Sequence, residues 1–291
     1  MPQSTLKMEE LRNLFRLLDD ESPEIQKVVQ TELHRNSLEI ILNKSWFMDH
    51  LPGHEAAALD SILRASHEAF IFSAFQQLTE NALEDIDLEK SVLLISYWND
   101  PTVNCQAIRE QLDQIAADVR ALMPGSGHPL AYLDHMNYVL FSQYRFTGNS
   151  RDYYNPENSY IDRVMKTRKG IPITLAIIYL LVARRLYMPI YGVSMPAHFI
   201  LKFNNGEDEI FFDPYYEGKV YSRQECYNFL ISARNENPEK VLAGCDNYEI
   251  VKRVLRNLRL VYSSYYFEPE KIHFIEQILN LLDVRGAIDS L

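Results

Sequence analysis

Cysteine is scarce: the chain has 3 among 291 residues, at Cys105, Cys226 and Cys245, and no two of them form a CxxC. So few thiols, so widely spaced, argue against a disulfide framework and a structural zinc site, and fit a reducing, cytoplasmic compartment. Positive charge is also in short supply. Lys plus Arg is 29 against 40 for Asp plus Glu, a formal net charge of −11. That balance argues against a protein whose main work is coating nucleic acid or an anionic membrane. Long apolar runs are missing too. The longest, Ile171 to Ala183, is interrupted by Pro172 and Thr174 and falls short of the roughly 20 residues that cross a bilayer. The opening segment MPQSTLKMEELRNL has no apolar centre of the kind a signal peptide carries.

What is present is the composition of a folded chain: 47% hydrophobic, 24% charged and 12% aromatic. This length suits one large domain or two modest ones. The first 128 residues read as helices. Met8, Leu11, Leu14, Phe15 and Leu18 recur at helical spacing, Ser22-Pro23 opens a second helix, and Ile25, Val28, Val29 and Leu33 share its face. The pair resembles one HEAT-type unit or part of a bundle. Helical patterns continue over 56–78, 83–98 and 105–122. Pro124-Gly125-Ser126-Gly127-His128-Pro129 is the strongest break in the chain and marks an expected domain boundary.

Beyond it come a helix over 130–146, a polar stretch over 147–159 dense in Asn, Asp and Tyr, and a helical segment to Thr167. The apolar segment from Ile171 to Leu186 lacks a polar face, so it should be the central buried helix of its domain. Strand patterns follow at 190–193, 198–203 and 209–213, with Asn204-Asn205-Gly206 as a hairpin signal between the last two. Residues 223–291 return to helix. There Ile250, Val251, Val254, Leu255, Leu258 and Val261 form an apolar face opposite Lys252, Arg253, Arg256 and Arg259, a basic face of the sort that is usually solvated. The expected architecture is an α-rich α+β protein. It has a helical domain at 1–128, a core with a three- or four-stranded antiparallel sheet at 129–239, and a helix pair at 240–291.

The hairpin brings two chemically useful residues together. Residues facing each other across an antiparallel pair have a constant index sum. His198 and Asp213 are symmetric about Asn205-Gly206, so they should face each other across the two strands. A carboxylate beside an imidazole is the orienting half of a nucleophile–His–Asp triad. The natural place for the nucleophile is the start of the helix on this sheet, where the dipole lowers a thiol's pKa. That turn reads Ile171-Pro172-Ile173-Thr174-Leu175. It contains no Cys, and Thr174 is its only hydroxyl.

Asn158-Ser159-Tyr160, Arg168 to Ala176 (RKGIPITLA), Gly192-Val193, Pro196, His198-Phe199 and Asp213-Pro214, with Phe146 to Tyr154 upstream, resemble the SirB-type branch of the transglutaminase-like superfamily. The resemblance is dense over 137–225. It implies a papain-like core, with a nucleophile helix packed on an antiparallel sheet that carries His and then Asp. Active members of the wider superfamily form a thioester from Cys and then transfer or hydrolyse an acyl group. His198 and Asp213 match the superfamily's His and Asp, while its Cys position falls on the Gly170-Ile171-Pro172 segment, most naturally at Pro172. The branch often carries tetratricopeptide-like helix pairs after the core, and 248–283 resembles one degenerate unit.

These readings lead to an expected pseudoenzyme that acts through protein or peptide contacts, without cofactor, metal, nucleic acid or membrane. Two alternatives stand beside it. One is a hydrolase or acyltransferase acting on amide bonds through Thr174, or a thiol from elsewhere, with His198 and Asp213. The other is a helical-repeat scaffold whose core is only a spacer. Cys226 and Cys245 read as buried structural thiols. His50 and His54 are separated by helix-breaking Pro52-Gly53, which removes the spacing a metal pair needs. Tyr153, Tyr154 and Tyr160 either pack on the core or line a peptide-binding cleft.

Overall fold

The structure, a computed structural model, describes residues 22–36, 53–80, 85–123 and 128–288, with the isolated positions 13, 14, 17, 40 and 82. Most of the first expected helix, His50 of the histidine pair and the Pro124–Gly127 break lie outside the described residues. The chain forms two compact units, one of residues 1–77 and 97–102, the other of 78–96 and 103–291. In the first unit, helix α1 (Pro23–Arg35) buries Val29 and Leu33, and helix α2 (Gly53–Glu80) buries Leu59, Leu63, Ile71 and Phe75.

The second unit carries everything that positions the site. Helix α3 (Leu88–Asn99), which ends in the first unit, is followed by α4 (Cys105–Leu122) and α5 (Pro129–Asn137). Asn104 caps α4 by accepting the Ala107 N–H at 3.0 Å, as a short polar side chain does at an N-cap. A turn of wider π-helix, Tyr138–Gln143, continues α5 where the sequence pattern predicted unbroken α-helix. The two-residue strands β1 (Thr147–Gly148) and β2 (Lys169–Gly170) pair in parallel around α6 (Ile161–Thr167). Helix α7 (Pro172–Arg185) is buried at every residue from Pro172 to Ala183, as its lack of a polar face requires.

The sheet is an antiparallel meander in the order β3 (Ile190–Met195), β4 (His198–Asn204), β5 (Glu209–Asp213) and β6 (Lys219–Tyr221). One face packs on α7, where the Tyr179 and Phe212 ring centroids are 5.0 Å apart. The other face puts Val193, Met195, Ile200 and Phe211 into a cluster with Cys226, Leu230 and Leu242. Those last three come from α8 (Arg223–Ser232) and α9 (Pro238–Ala243). Helices α10 (Asn247–Val261) and α11 (Pro269–Ile288) follow, with a π-turn, Tyr262–Tyr266, between them. The apolar face of α10 is the expected one: Ile250, Val251, Val254, Leu255, Leu258 and Val261 are all buried.

The hairpin register differs from the expected one. The β4–β5 ladder runs from Leu201 opposite Phe212 to Asn204 opposite Glu209, an index sum of 413 rather than 411. The connection is a four-residue turn, Asn205–Asp208. Asn205 Oδ1 accepts the Glu207 and Asp208 N–H groups, and Gly206 takes φ +92°. Asn side chains commonly build turns this way, and the left-handed position suits Gly. Because the slip is two residues, every side chain keeps its face of the sheet.

Candidate functional site

His198 is the first residue of β4. It follows a two-residue turn, Pro196-Ala197, whose Ala197 adopts φ +55°, and it pairs with Met195 of β3. Asp213 is the last residue of β5 and is fully buried. Continuing the ladder sum puts Asp213 opposite Ile200, so His198 reaches it diagonally, a distance the ring spans easily. The His198 Nε2 to Asp213 Oδ2 separation is 2.6 Å. The second carboxylate oxygen accepts the Tyr215 N–H at 2.9 Å, which also caps the short 3₁₀ turn Pro214–Tyr216. Both acceptor atoms are therefore occupied, and the imidazole is held at one nitrogen. The rings of Tyr215 and Tyr216 stand 6.1 Å from it.

The imidazole borders two cavities. One, of about 560 Å³, is lined by Ser150, Tyr153, Tyr154, Pro172, Ile173 and Tyr215 on one side and by Arg253, Asn257 and Leu260 on the other. Pro172 and Ile173 are the first turn of α7, so the helix start does face the histidine, as a papain-like arrangement requires. What it presents there is a pyrrolidine ring and an alkyl side chain. Thr174 is 1% exposed, its hydroxyl has no hydrogen-bond partner, and it does not line this cavity. The structure thus joins His198 to Asp213 but does not hydrogen-bond Thr174 to either.

The second cavity, of about 530 Å³, is more apolar and is lined by Met195, Ile200, Tyr216, Tyr221, Cys226 and Phe229 beside His198. Cys226 lies in the first turn of α8, yet burial pushes its thiol up to about 11, with Glu225 adding to the effect. Cys245 is pushed up to about 12, mainly by burial. Burial also raises the Cys105 thiol. Each shift disfavours the thiolate, the form a nucleophile needs.

Arg253 was the residue whose place the sequence pattern missed. Its neighbours on the basic face are ion-paired: Lys252 with Asp283, Arg256 with Glu249 and Arg259 with Glu276. Arg253 instead turns toward the sheet, where it donates to Ser194 Oγ at 3.5 Å and to the His198 carbonyl at 3.4 Å. Burial lowers its pKa. Arg253, Asn257 and Leu260 are spaced four and then three apart, so they share one stripe of α10, a signal the sequence did contain.

The polar stretch over 147–159 is a scaffold for the cavity wall. Asn158 is buried, donates to the Asp152 and Tyr153 carbonyls, and accepts from Asn149. This fixes the loop that carries Tyr153 and Tyr154. Tyr154 stacks on Tyr265 with centroids 4.3 Å apart. Tyr160 belongs to the core, its hydroxyl 2.7 Å from that of Tyr262. Gly148 lies under the Tyr215 ring so closely that a Cβ there would fall 2.5 Å from it. Among the described residues no group of His, Cys, Asp and Glu could hold a metal ion, and no helix is long and apolar enough to cross a membrane.

Comparison with known proteins bears directly on this arrangement. The family model described as the transglutaminase-like superfamily matches residues 106–256, which is more than half of the chain and includes His198, Asp213 and Arg253. The chain belongs to the transglutaminase-like superfamily. It is 34% identical to F-box only protein 21 of Homo sapiens over 200 residues, 59% of this chain and 31% of that protein. It is 35% identical to a UPF0162 protein of Xylella fastidiosa over 138 residues, 44% of this chain and 48% of that one. A UPF0162 protein of Vibrio cholerae is 23% identical over 187 residues, 62% and 68% of the two chains. The matched region thus spans about a third of the F-box relative and about half of the Xylella fastidiosa one. No solved structure matches the chain. The transglutaminase-like fold agrees with the helix-rich architecture, in which α7 packs on the sheet that carries the histidine and the aspartate.

Proposed function

We propose that this transglutaminase-like protein is a non-catalytic, SirB-type member that works in the cytoplasm by binding a protein or peptide segment in the cleft beside His198. The observation that carries the reading is the start of α7: the turn lines the cavity beside the imidazole with Pro172 and Ile173, contains no thiol, and keeps the Thr174 hydroxyl buried away from the cavity. Acyl transfer through a covalent intermediate needs an activated nucleophile within hydrogen-bond reach of its base. The kinship with F-box only protein 21 supports a protein partner, and a cleft walled by Tyr153, Tyr154 and Tyr215 has the aromatic character of contact surfaces. In this reading the core at 129–239 supplies the His–Asp pair and the aromatic wall, and the helix pair at 240–291 supplies the wall with Arg253.

The intact His198–Asp213 contact favours a second reading, a hydrolase or acyltransferase acting on amide bonds through Thr174 or a thiol such as Cys226. One experiment separates the two. The full chain is incubated with a glutamine-containing peptide plus a primary amine, and separately with chromogenic peptide amides. The expected result is no turnover above buffer. Turnover that disappears in His198→Ala, at unchanged melting temperature, would overturn the non-catalytic reading; its loss in Thr174→Val as well would assign the hydroxyl. The binding half is tested by selecting displayed peptides on the full chain, which should lose their binding to Tyr154→Ala. Equal binding to wild type and Tyr154→Ala removes the cleft from the proposal.

A further inference from the structure

We propose that the His198 cleft recognises a carboxylate on its peptide ligand, held between the Arg253 guanidinium and the first turn of α7. The inference rests on the peptide-binding reading and names the chemistry that reading leaves open.

Two positive features of independent origin meet in one cavity. The first is Arg253. In a chain of net charge −11, an arginine in a cleft would be expected to find an acidic partner within the protein. The other basic residues of α10 do so, and Arg253 does not. Its partners are a hydroxyl and a carbonyl at 3.5 and 3.4 Å, long contacts that leave most of its five N–H donors to the cavity. Glu249, one turn before it, supports the Arg253 charge through space, but its hydrogen bonds go to Arg256 at 3.0 and 3.3 Å. A guanidinium partly drawn out of water, with Glu249 supporting its charge only through space and no carboxylate hydrogen-bonded to it, favours the arrival of one.

The second feature is the N-terminus of α7, whose residues Pro172 and Ile173 line the same cavity. No side chain caps this 14-residue helix, because the N-cap position is Ile171. The N-cap sites of α4, α8, α9 and α10 all use Asn, Ser or Asp to accept a first-turn N–H. The helix dipole at an uncapped end favours an anion. Asn257, a turn beyond Arg253, adds a neutral amide to the wall. The described lining of the cavity contains no Asp or Glu, so an incoming carboxylate meets no like charge on the walls.

The test uses the full chain and three probes: N-acetyl-Ala-Ala-Leu as the free acid, the same peptide as its C-terminal amide, and N-acetyl-Ala-Glu-Leu amide. Binding is read from two-dimensional NMR shifts of the labelled protein. The acid is expected to bind and the neutral amide to bind at least about tenfold more weakly. The Glu peptide decides the source: binding like the acid means any carboxylate serves, and binding like the neutral amide means the chain terminus is required. Arg253→Gln should remove the difference between acid and amide. Asn257→Asp keeps Arg253 in place but puts a negative charge in the wall, and should weaken the acid alone. Equal binding of acid and amide, an acid that binds Arg253→Gln undiminished, or no binding of the acid at about 10 mM overturns the proposal. Hydrolysis of a probe during the titration would instead overturn the non-catalytic reading, and is detected separately by mass.

Discussion

At the scale of single residues, Asp213 has the most to lose. It is fully buried and both its oxygens are used, by the His198 ring and the Tyr215 N–H. Asp213→Ala leaves that N–H and the imidazole without an acceptor, a change expected to cost about 1–3 kcal/mol in urea unfolding. Asp213→Asn keeps an acceptor and should cost less. Thr174 behaves in the opposite way. Its hydroxyl is buried without a partner, so Thr174→Val, which swaps the hydroxyl for a methyl group, should leave stability unchanged or raise it by up to about 1 kcal/mol. A loss above about 2 kcal/mol would mean that the hydroxyl has a partner after all. The thiols give a third residue-scale prediction. With Cys226 raised to about 11 and Cys245 to about 12, iodoacetamide at pH 8 should alkylate both far more slowly in the folded chain than in urea, read by mass.

At the scale of elements, the turn after β5 depends on one glycine. Gly218 has φ +83° and its N–H donates to the Asp213 carbonyl at 2.8 Å. A Cβ there would fall 2.2 Å from Asn137 Nδ2, and the Asn137 Oδ1 accepts the hydroxyl of buried Tyr179. Gly218→Ala therefore combines backbone strain with displacement of a buried partner, and should lower stability by about 1–3 kcal/mol. The β4–β5 hairpin also carries a pH signature. Burial opposes the charge on Glu209, but hydrogen bonds from Arg223 and Lys202 outweigh it and hold the carboxyl below its usual 4.5. A depressed carboxyl pKa adds stability that is present above the unfolded value and fades as pH falls through the folded one. The stability gap between wild type and Glu209→Gln should therefore be constant near neutrality and close below about pH 4.5. A gap that widens in acid would contradict the pairing.

At the scale of the whole second unit, α7 is the buried helix against which the sheet, α4 and α10 pack. Ile177 is 1% exposed within it, and Arg185 at its end ties α3 and α4 through Glu89 at 2.7 Å and Asp113 at 2.5 Å. Ile177→Ala leaves a cavity in the middle of the unit and should cost about 2–5 kcal/mol. Although α7 contributes Pro172 and Ile173 to the cavity wall beside His198, Ile177 does not line it, so the same variant should weaken peptide binding only as far as it unfolds the protein. Arg185→Ala, at the opposite end of the helix, should lower stability without moving the NMR signals of His198.

The transglutaminase-like core was legible because its signals are local and chemical. An apolar run without a polar face specified a buried helix, and period-two strands around an Asn-Gly turn specified a hairpin. The His198–Asp213 contact was readable even though the register was not. Asn205 folds its side chain back on the turn and lengthens it, but a slip of two residues preserves faces, so the pair still meets on the diagonal. The role of Arg253 could not be read in the same way. Its sequence context makes it one of four basic residues on a helix, and only the packing of α10 against the sheet separates the one that faces the cleft from the three that find acidic partners. Local pattern determines what each element is and which face it buries, since those follow from spacing and propensity. Which of the four basic side chains turns toward the cleft is decided by contacts with residues 55 or more positions away, and only the tertiary structure brings those together.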